Sequence, residues 1–183
     1  MASTYNAPLS STAPPSTPAF STLLCSTPEE LARAMAVRFK VFVEEQGYDA
    51  AIEVDEKDPD CDHLLLTATK EDGTVEDVGT VRWYPPLSKL GRLAVLAPHR
   101  GTGAGRVLCL ALEAHVRARR GRSRAVNCGQ GTTELVAHSQ SPAEGFYLKL
   151  GWSRVGDEFL EEGQPHVKVV KKIQLDPEED ESS

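Results

Sequence analysis

The stretch "VLAPHRGTGAGRVLCLALEAHV", residues 95–116, closes an apolar run at Pro98, sets three glycines at alternate positions (Gly101, Gly103, Gly105) and passes into helical periodicity. A helix start leaves main-chain N–H groups without partners and carries partial positive charge, so it attracts anions, phosphate above all. Glycines let a bulky phosphate reach the main chain without meeting a Cβ, and Arg100 and Arg106 stand on either side to pair with its oxygens. Spacing excludes two familiar phosphate loops. A GxxxxGK[ST] loop needs a lysine that is missing here, and a GxGxxG fingerprint does not fit a GxGxG run.

Working outward, "GRLAVLA" (91–97) reads as a strand. A helix runs from Gly103 to about Arg119 through Val107, Leu110, Ala111, Ala114 and Val116. After the Arg- and Gly-rich connection 119–132 come a strand "ELVAHS" (134–139) and a short helix within 141–151 that Gly151 closes. Two last strands, "WSRVGDEFLE" and "HVKVVKKI", flank the turn "EGQP". On the N-terminal side, "DHLLLTATK" (62–70) and "VEDVGTVRWYP" (75–85) form a hairpin around "EDGT". In "STPEE", Thr27 is an N-cap, Pro28 the first helical residue and Glu30 the partner of a capping box. They start a helix over 28–46 with Leu31, Met35, Arg38 and Phe42 on one face. A hairpin followed by strands alternating with helices predicts a mixed α/β sheet of the α+β kind.

With 183 residues, 40% of them hydrophobic and 26% charged, the chain has the makings of one globular domain. It contains no run of eighteen apolar residues, which argues against a membrane span. The first 28 residues carry no charge, unlike a secretory or mitochondrial leader, so a cytoplasmic location is the default and a nuclear one stays open. Residues 1–27, rich in Ser, Thr and Pro, are expected to be a disordered tail, 28–174 the domain, and 175–183 a disordered acidic tail. The widely spaced Cys25, Cys61, Cys109 and Cys128 suit reduced thiols, and no metal-ligand spacing is present. The run "HVRARRGRSR" lacks interleaved aromatics and reads as a solvated helix end rather than a nucleic-acid site. The long connection after it reads as a surface flap or as a contact in a homodimer.

"RGTGAG", with a strand and "AP" before it and a helix after it, resembles the acyl-CoA-binding motif R-x-x-G-x-G of the GNAT superfamily of N-acetyltransferases. "SQSPAEGFYLKLGW", some forty residues on, is similar to that superfamily's polar residue, short helix, Phe-Tyr and Gly-aromatic pattern. The resemblance covers about residues 28–173. It implies the acyl-CoA N-acyltransferase fold, a central, mostly antiparallel sheet with flanking helices, and acetyl-CoA as cosubstrate. It further implies that the strand 93–95 (Leu93, Ala94, Val95) pairs with the pantetheine arm through the backbone of Leu93 and Val95. Arg100, Gly101, Thr102, Gly103, Ala104, Gly105 and Arg106 would wrap the pyrophosphate. Gln140 would touch the pantetheine or ribose side, and the Tyr147 hydroxyl would lie beside the sulfur.

Acetyl transfer from a thioester to an amine needs a neutral amine, a donor for the oxyanion and a proton for the departing thiolate. A strand N–H near Val95 suits the second and Tyr147 the third. The base is open between Glu53 and His138. "RFKVFVEEQGYDAAIEVDEKD" resembles a pattern of one GNAT branch, with Arg and Phe on the first helix and then E-x-D-x-x-D. This makes Arg38, Phe42 and Asp55 candidates for acceptor binding, together with His166 between the last strands, whereas Asp58 to Asp62 read as a solvated acidic loop. Acyl-homoserine-lactone synthases carry a related pattern, but the distance from Phe42 to Glu53 is shorter here and the glycine loop is intact. The expected activity is direct acetylation of a primary amine in a ternary complex, the acidic stretch favouring a cationic acceptor. The rival from another class is a non-catalytic acyl-CoA-binding module.

Overall fold

Residues 19–118 and 131–177 are described by the structure, a computed structural model. Seven strands form one sheet: β1 (Ala19–Leu24), β2 (Asp62–Thr69), β3 (Val75–Tyr84), β4 (Lys89–Val95), β5 (Thr132–Gln140), β6 (Ser153–Glu161) and β7 (Gln164–Gln174). Their order is β1-β2-β3-β4-β5-β7-β6, antiparallel everywhere except between β4 and β5. Helix α1 (Pro28–Arg38) begins with the expected capping box, the Thr27 side chain accepting from the Glu30 N–H while Glu30 accepts from Thr27. It continues as a π-helical segment, Phe39–Glu45, and a single turn, α2 (Ala50–Glu53), follows. Helix α3 (Ala104–Arg117) connects β4 to β5, and α4 (Glu144–Lys149) precedes β6. None of the described helices is long and apolar enough to cross a membrane.

Strand β2 is buried on both faces because helices cover both. Leu64 and Leu66 point into the main core with Val78, Val81, Trp83, Leu135, Val167 and Val169, under Leu108, Leu112 and Val116 of α3. Leu65 points the other way, to Ala34, Val37 and Val41. The expected buried faces are therefore rotated. On α3 the core residues are Leu108, Leu112 and Val116, while Leu110 and Ala114 face out; on α1 the core residues are Ala34 and Val37 rather than Leu31 and Met35. Glu113, on the buried side of α3, is matched by Lys171 Nζ at 2.7 Å and the Trp152 indole N–H at 3.2 Å.

The boundary expected at residue 27 is also corrected. Residues 19–24 are a strand whose backbone pairs with β2 from Ala19↔Thr69 to Leu24↔Leu64. Long-range pairing orders this segment, Ala-Phe-Ser-Thr-Leu-Leu, which closes a longer Ser-, Thr- and Pro-rich stretch. The tail readings for 1–18 and 178–183, the connection 119–130 and Cys128 lie outside the described residues.

Candidate active site

At the head of α3, Gly101 (φ 76°) and Gly103 (φ 96°) adopt left-handed backbone, and a Cβ on either would meet nothing within 4 Å. The first bond inside the helix runs from the Val107 N–H to the Gly103 carbonyl, so the N–H groups of Ala104, Gly105 and Arg106 have no carbonyl behind them. No side chain caps this end. An open, donor-rich cradle results. Gly105 has a different use from its neighbours. A Cβ there would lie 3.3 Å from the Phe146 ring, so this glycine seats α4 against α3. Arg106 is exposed, and Arg100 donates through Nε to the Val95 carbonyl (2.9 Å) and pairs through both terminal nitrogens with Glu45 (2.5 and 2.8 Å).

Strand β4 leads from this cradle into a cleft. It pairs with β5 only at Lys89↔Val136 and Leu90↔Ala137, and the two strands then part. The Leu96 N–H bonds to the Val78 carbonyl of β3, and because strand amides alternate in direction, those of Leu93 and Val95 face the open side. Ala94 packs its methyl into the α1 core. The register against β3 shifts between Thr80 and Arg82, where β4 carries an extra residue and Arg92 has φ 52°. Such a bulge re-aims a strand next to a site. Neither the bulge nor Arg92 was expected, since a Gly-Arg pair inside an apolar strand carries no distinct local signal.

The cleft, of about 260 Å³, is lined by Phe42, Gln46, Tyr48, Glu53, Arg92, Leu93, Gln140, Phe146 and Tyr147, and also by Lys89, His138, Glu161 and His166. Tyr147 stacks edge-on between Phe146 and Trp152 at the cleft floor. Burial, with Cys109 nearby, pushes its phenol well above the ordinary value, so it keeps its proton at any working pH. Gln140 donates to Gln46 Oε1 and the Tyr48 hydroxyl, both at 3.1 Å, and ties β5 to the chain that follows the π segment. The Cys61 and Cys109 thiols are pushed up to about 12 by burial, and Cys25 to about 11, which suits none of them for a covalent relay.

The acidic stretch is only partly solvated: Glu56 and Asp60 are exposed, whereas Glu53, Asp58 and Asp62 are buried. Arg38, with no exposed surface, donates to Glu53 Oε1 (2.6 Å), to Asp58 Oδ1 (2.7 Å) and to the Glu53 carbonyl. Arg82 holds Asp55 in a fork (2.7 and 3.0 Å) and reaches Asp58 at 2.8 Å. Arg92 donates to the Ile52 carbonyl (3.0 Å) and lies 3.3 Å from Glu53 Oε2. Burial pushes the Asp58 and Asp55 carboxyls up, but their arginine hydrogen bonds outweigh it and both stay below the usual range. Two expectations are thereby corrected. Arg38 is sealed under the cleft wall with its donors occupied and cannot meet an acceptor. Asp58 and Asp62 belong to buried pairs, the latter with His115 at 2.8 Å. Glu53 and Asp55 face guanidinium groups rather than free space.

Among the remaining lining residues, His138 Nδ1 lies 3.0 Å from Lys89 Nζ and 3.0 Å from Glu161 Oε2. His166 donates through Nδ1 to the Gln164 carbonyl, 2.9 Å away, so that nitrogen carries the proton. Lys89 and Glu161 went unrecognised in the sequence because only the strand order brings them to His138.

The family described as an acetyltransferase (GNAT) domain matches residues 27–173. An uncharacterized Bacillus subtilis protein, YyaT, is 34% identical over 152 residues, which span 81% of this chain and 93% of YyaT. YjcF of the same organism, named as an uncharacterized N-acetyltransferase, is 32% identical over 152 residues, 81% of this chain and 97% of YjcF. The crystal structure of an acyl-CoA N-acyltransferase from Pseudomonas aeruginosa superposes with a TM-score of 0.62 at 23% identity, covering 84% of this chain and 99% of that one, which shows a shared fold. A sheet that splays beside a glycine-opened helix head, and a family match over most of the sequence, agree that the chain belongs to the GNAT acetyltransferase family.

Proposed function

We propose that the protein is an N-acetyltransferase that moves an acetyl group from acetyl-CoA directly to a primary amine. The observation that carries this is the continuity of the open α3 head, the free edge of β4 beyond Leu90 and a cleft with Tyr147 at its floor. In this reading the diphosphate sits on the N–H groups at the head of α3, around Gly101, Thr102 and Gly103. The pantetheine arm lies along Leu93 and Val95 as an added strand. Arg106 is free to pair with phosphate, while Arg100 first exchanges Glu45 for it. Gln140 flanks the arm.

Chemistry falls to the splayed region. A β4 N–H faces the carbonyl oxygen as its negative charge grows. The Tyr147 hydroxyl, which holds its proton until the thiolate departs beside it, gives that proton to the sulfur. Phe42 and His166 shape the acceptor side. Glu53 and Asp55 act at one remove, holding Arg92 and with it the bulge that aims the β4 amides.

Calorimetry with acetyl-CoA and thiol release over a panel of primary amines test this. Saturable uptake and amine-dependent release are expected, and Tyr147→Phe is expected to lower kcat about 100-fold with acetyl-CoA affinity kept. An unchanged kcat in that variant would remove the acid role. Uptake without release for any amine would leave a binding module, and no uptake would end the whole proposal.

A further inference from the structure

Lys89, His138 and Glu161 come from three different strands, β4, β5 and β6, and meet where β4 and β5 part. Their side chains are between a quarter and two-fifths exposed, at 28%, 28% and 37%, and all three line the cleft. The Phe159 ring stacks edge-on against the imidazole with centroids 4.9 Å apart, which fixes its plane. One nitrogen, Nδ1, faces both neighbours: Lys89 Nζ at 3.0 Å and the two Glu161 oxygens at 3.0 and 3.1 Å. Nε2 makes no hydrogen bond among the described residues.

These contacts compete for the proton on Nδ1. An ammonium at Lys89 can only donate, so it needs a lone pair on Nδ1, which puts the ring proton on Nε2. The Glu161 carboxylate can only accept, so it needs Nδ1–H, which leaves the lone pair on Nε2. Only the second arrangement leaves a basic nitrogen that neither neighbour occupies. We infer that Glu161 and Lys89 set the tautomer of His138 in opposite senses, and that His138 Nε2, in the form Glu161 selects, takes the proton from the acceptor ammonium before acetyl transfer. The inference rests on the N-acetyltransferase reading above. The balance is simple: one N–H bond of the ammonium breaks, one forms at Nε2, and the neutral amine keeps the electron pair that attacks the thioester. Glu161 and Lys89 are positioning residues here, because each acts through the ring.

Other charges face the cluster. Lys57 and Arg82 lie on the Lys89 side and His166 on the Glu161 side. Burial and these cations lower Lys89 although Glu161 opposes them, so the ammonium gives up its hold on Nδ1 more readily than an exposed lysine would. Burial raises Glu161, but the His138 contact and the nearby cations outweigh it and keep the carboxylate charged.

The test is a kcat/KM profile against pH for the wild type and for Glu161→Gln, Lys89→Met and His138→Gln. NMR of the histidine ring signals in the same proteins follows His138 without any substrate. His138→Gln should lose at least about 100-fold in kcat while acetyl-CoA binding by calorimetry is kept. In Glu161→Gln the rate and ring inflections should both move to lower pH, since a carboxylate that favours the imidazolium is gone. In Lys89→Met both should move to higher pH, since a cation that opposes the imidazolium is gone. Opposite shifts are a signature that a merely structural role would not produce. Rate inflections that stay put while the ring signals move, or turnover that survives His138→Gln, overturn the inference with the acetyltransferase reading intact. A wild type that binds acetyl-CoA but acetylates no amine removes both.

Discussion

On one side of the cleft, Arg38, Arg82 and Arg92 meet Glu53, Asp55 and Asp58; on the other, Lys89 and His138 meet Glu161. Both clusters set cations against carboxylates at similar distances, yet they differ in burial and in how many donors each acceptor has. In the first, three guanidinium groups offer many fixed N–H bonds to three carboxylates that are largely withdrawn from water, so every proton has one place to be. In the second, one ring nitrogen serves two neighbours that want opposite things from it, at the edge of solvent. Saturation makes a scaffold, and a shared proton makes a reactive centre.

The sharpest way to break this contrast is to remove one partner on each side. Asp58→Asn should strand parts of two buried arginines, a loss on the order of 3–5 kcal/mol. For a domain of this size that is a fall in Tm on the order of 10 °C. Glu161→Gln, at a site 37% exposed, should change Tm by about 2 °C or less while moving the pH profile. Thermal unfolding of the two variants decides the matter, and comparable falls in both would erase the distinction.

Acid brings a second, smaller effect. The folded Asp58 and Asp55 carboxyls lie below their ordinary values, and a group lowered in this way contributes stability that is present above the unfolded pKa and fades as pH drops. Their contribution should be flat near neutrality and decline only below about pH 4. His63, beside Asp58, is lowered chiefly by its burial, so its contribution starts to fade below about pH 6.5. Urea unfolding across pH should show a shallow decline first and a steeper one later. Asp58→Asn should flatten the steep part.

How much of this could be read from the chain follows the range of the forces involved. The capping box at Thr27 and Glu30, the glycine loop and the Phe146-Tyr147 turn lie within a few residues, and their chemistry is printed in their spacing. The ion cluster is not so printed. Arg38 reaches fifteen residues forward to Glu53, and Arg92 reaches forty back to Ile52, so the acidic stretch looked free for an acceptor until the fold supplied its partners. Strand β1 is hidden for the same reason: its short Ala-Phe-Ser-Thr-Leu-Leu run closes a Ser-, Thr- and Pro-rich stretch, and its order comes from pairing with β2. Gly105 shows the limit within a motif: its place in the run suggested a phosphate, and its Cα faces Phe146.

The Glu45–Arg100 pair tests the contrast at its weak end. It has the fork geometry of the scaffold, with both terminal nitrogens on both oxygens, but the side chains are 41% and 43% exposed. Water competes for both partners, so geometry alone should confer little. Glu45→Gln should therefore leave Tm almost unchanged. It should also free Arg100 for the anion at the head of α3 and tighten acetyl-CoA about two- to fivefold by calorimetry. A loss of affinity instead would mean that Glu45 holds Arg100 in its binding position through the Val95 carbonyl contact. Burial would then not be what separates a fixed ion pair from an exchangeable one in this molecule.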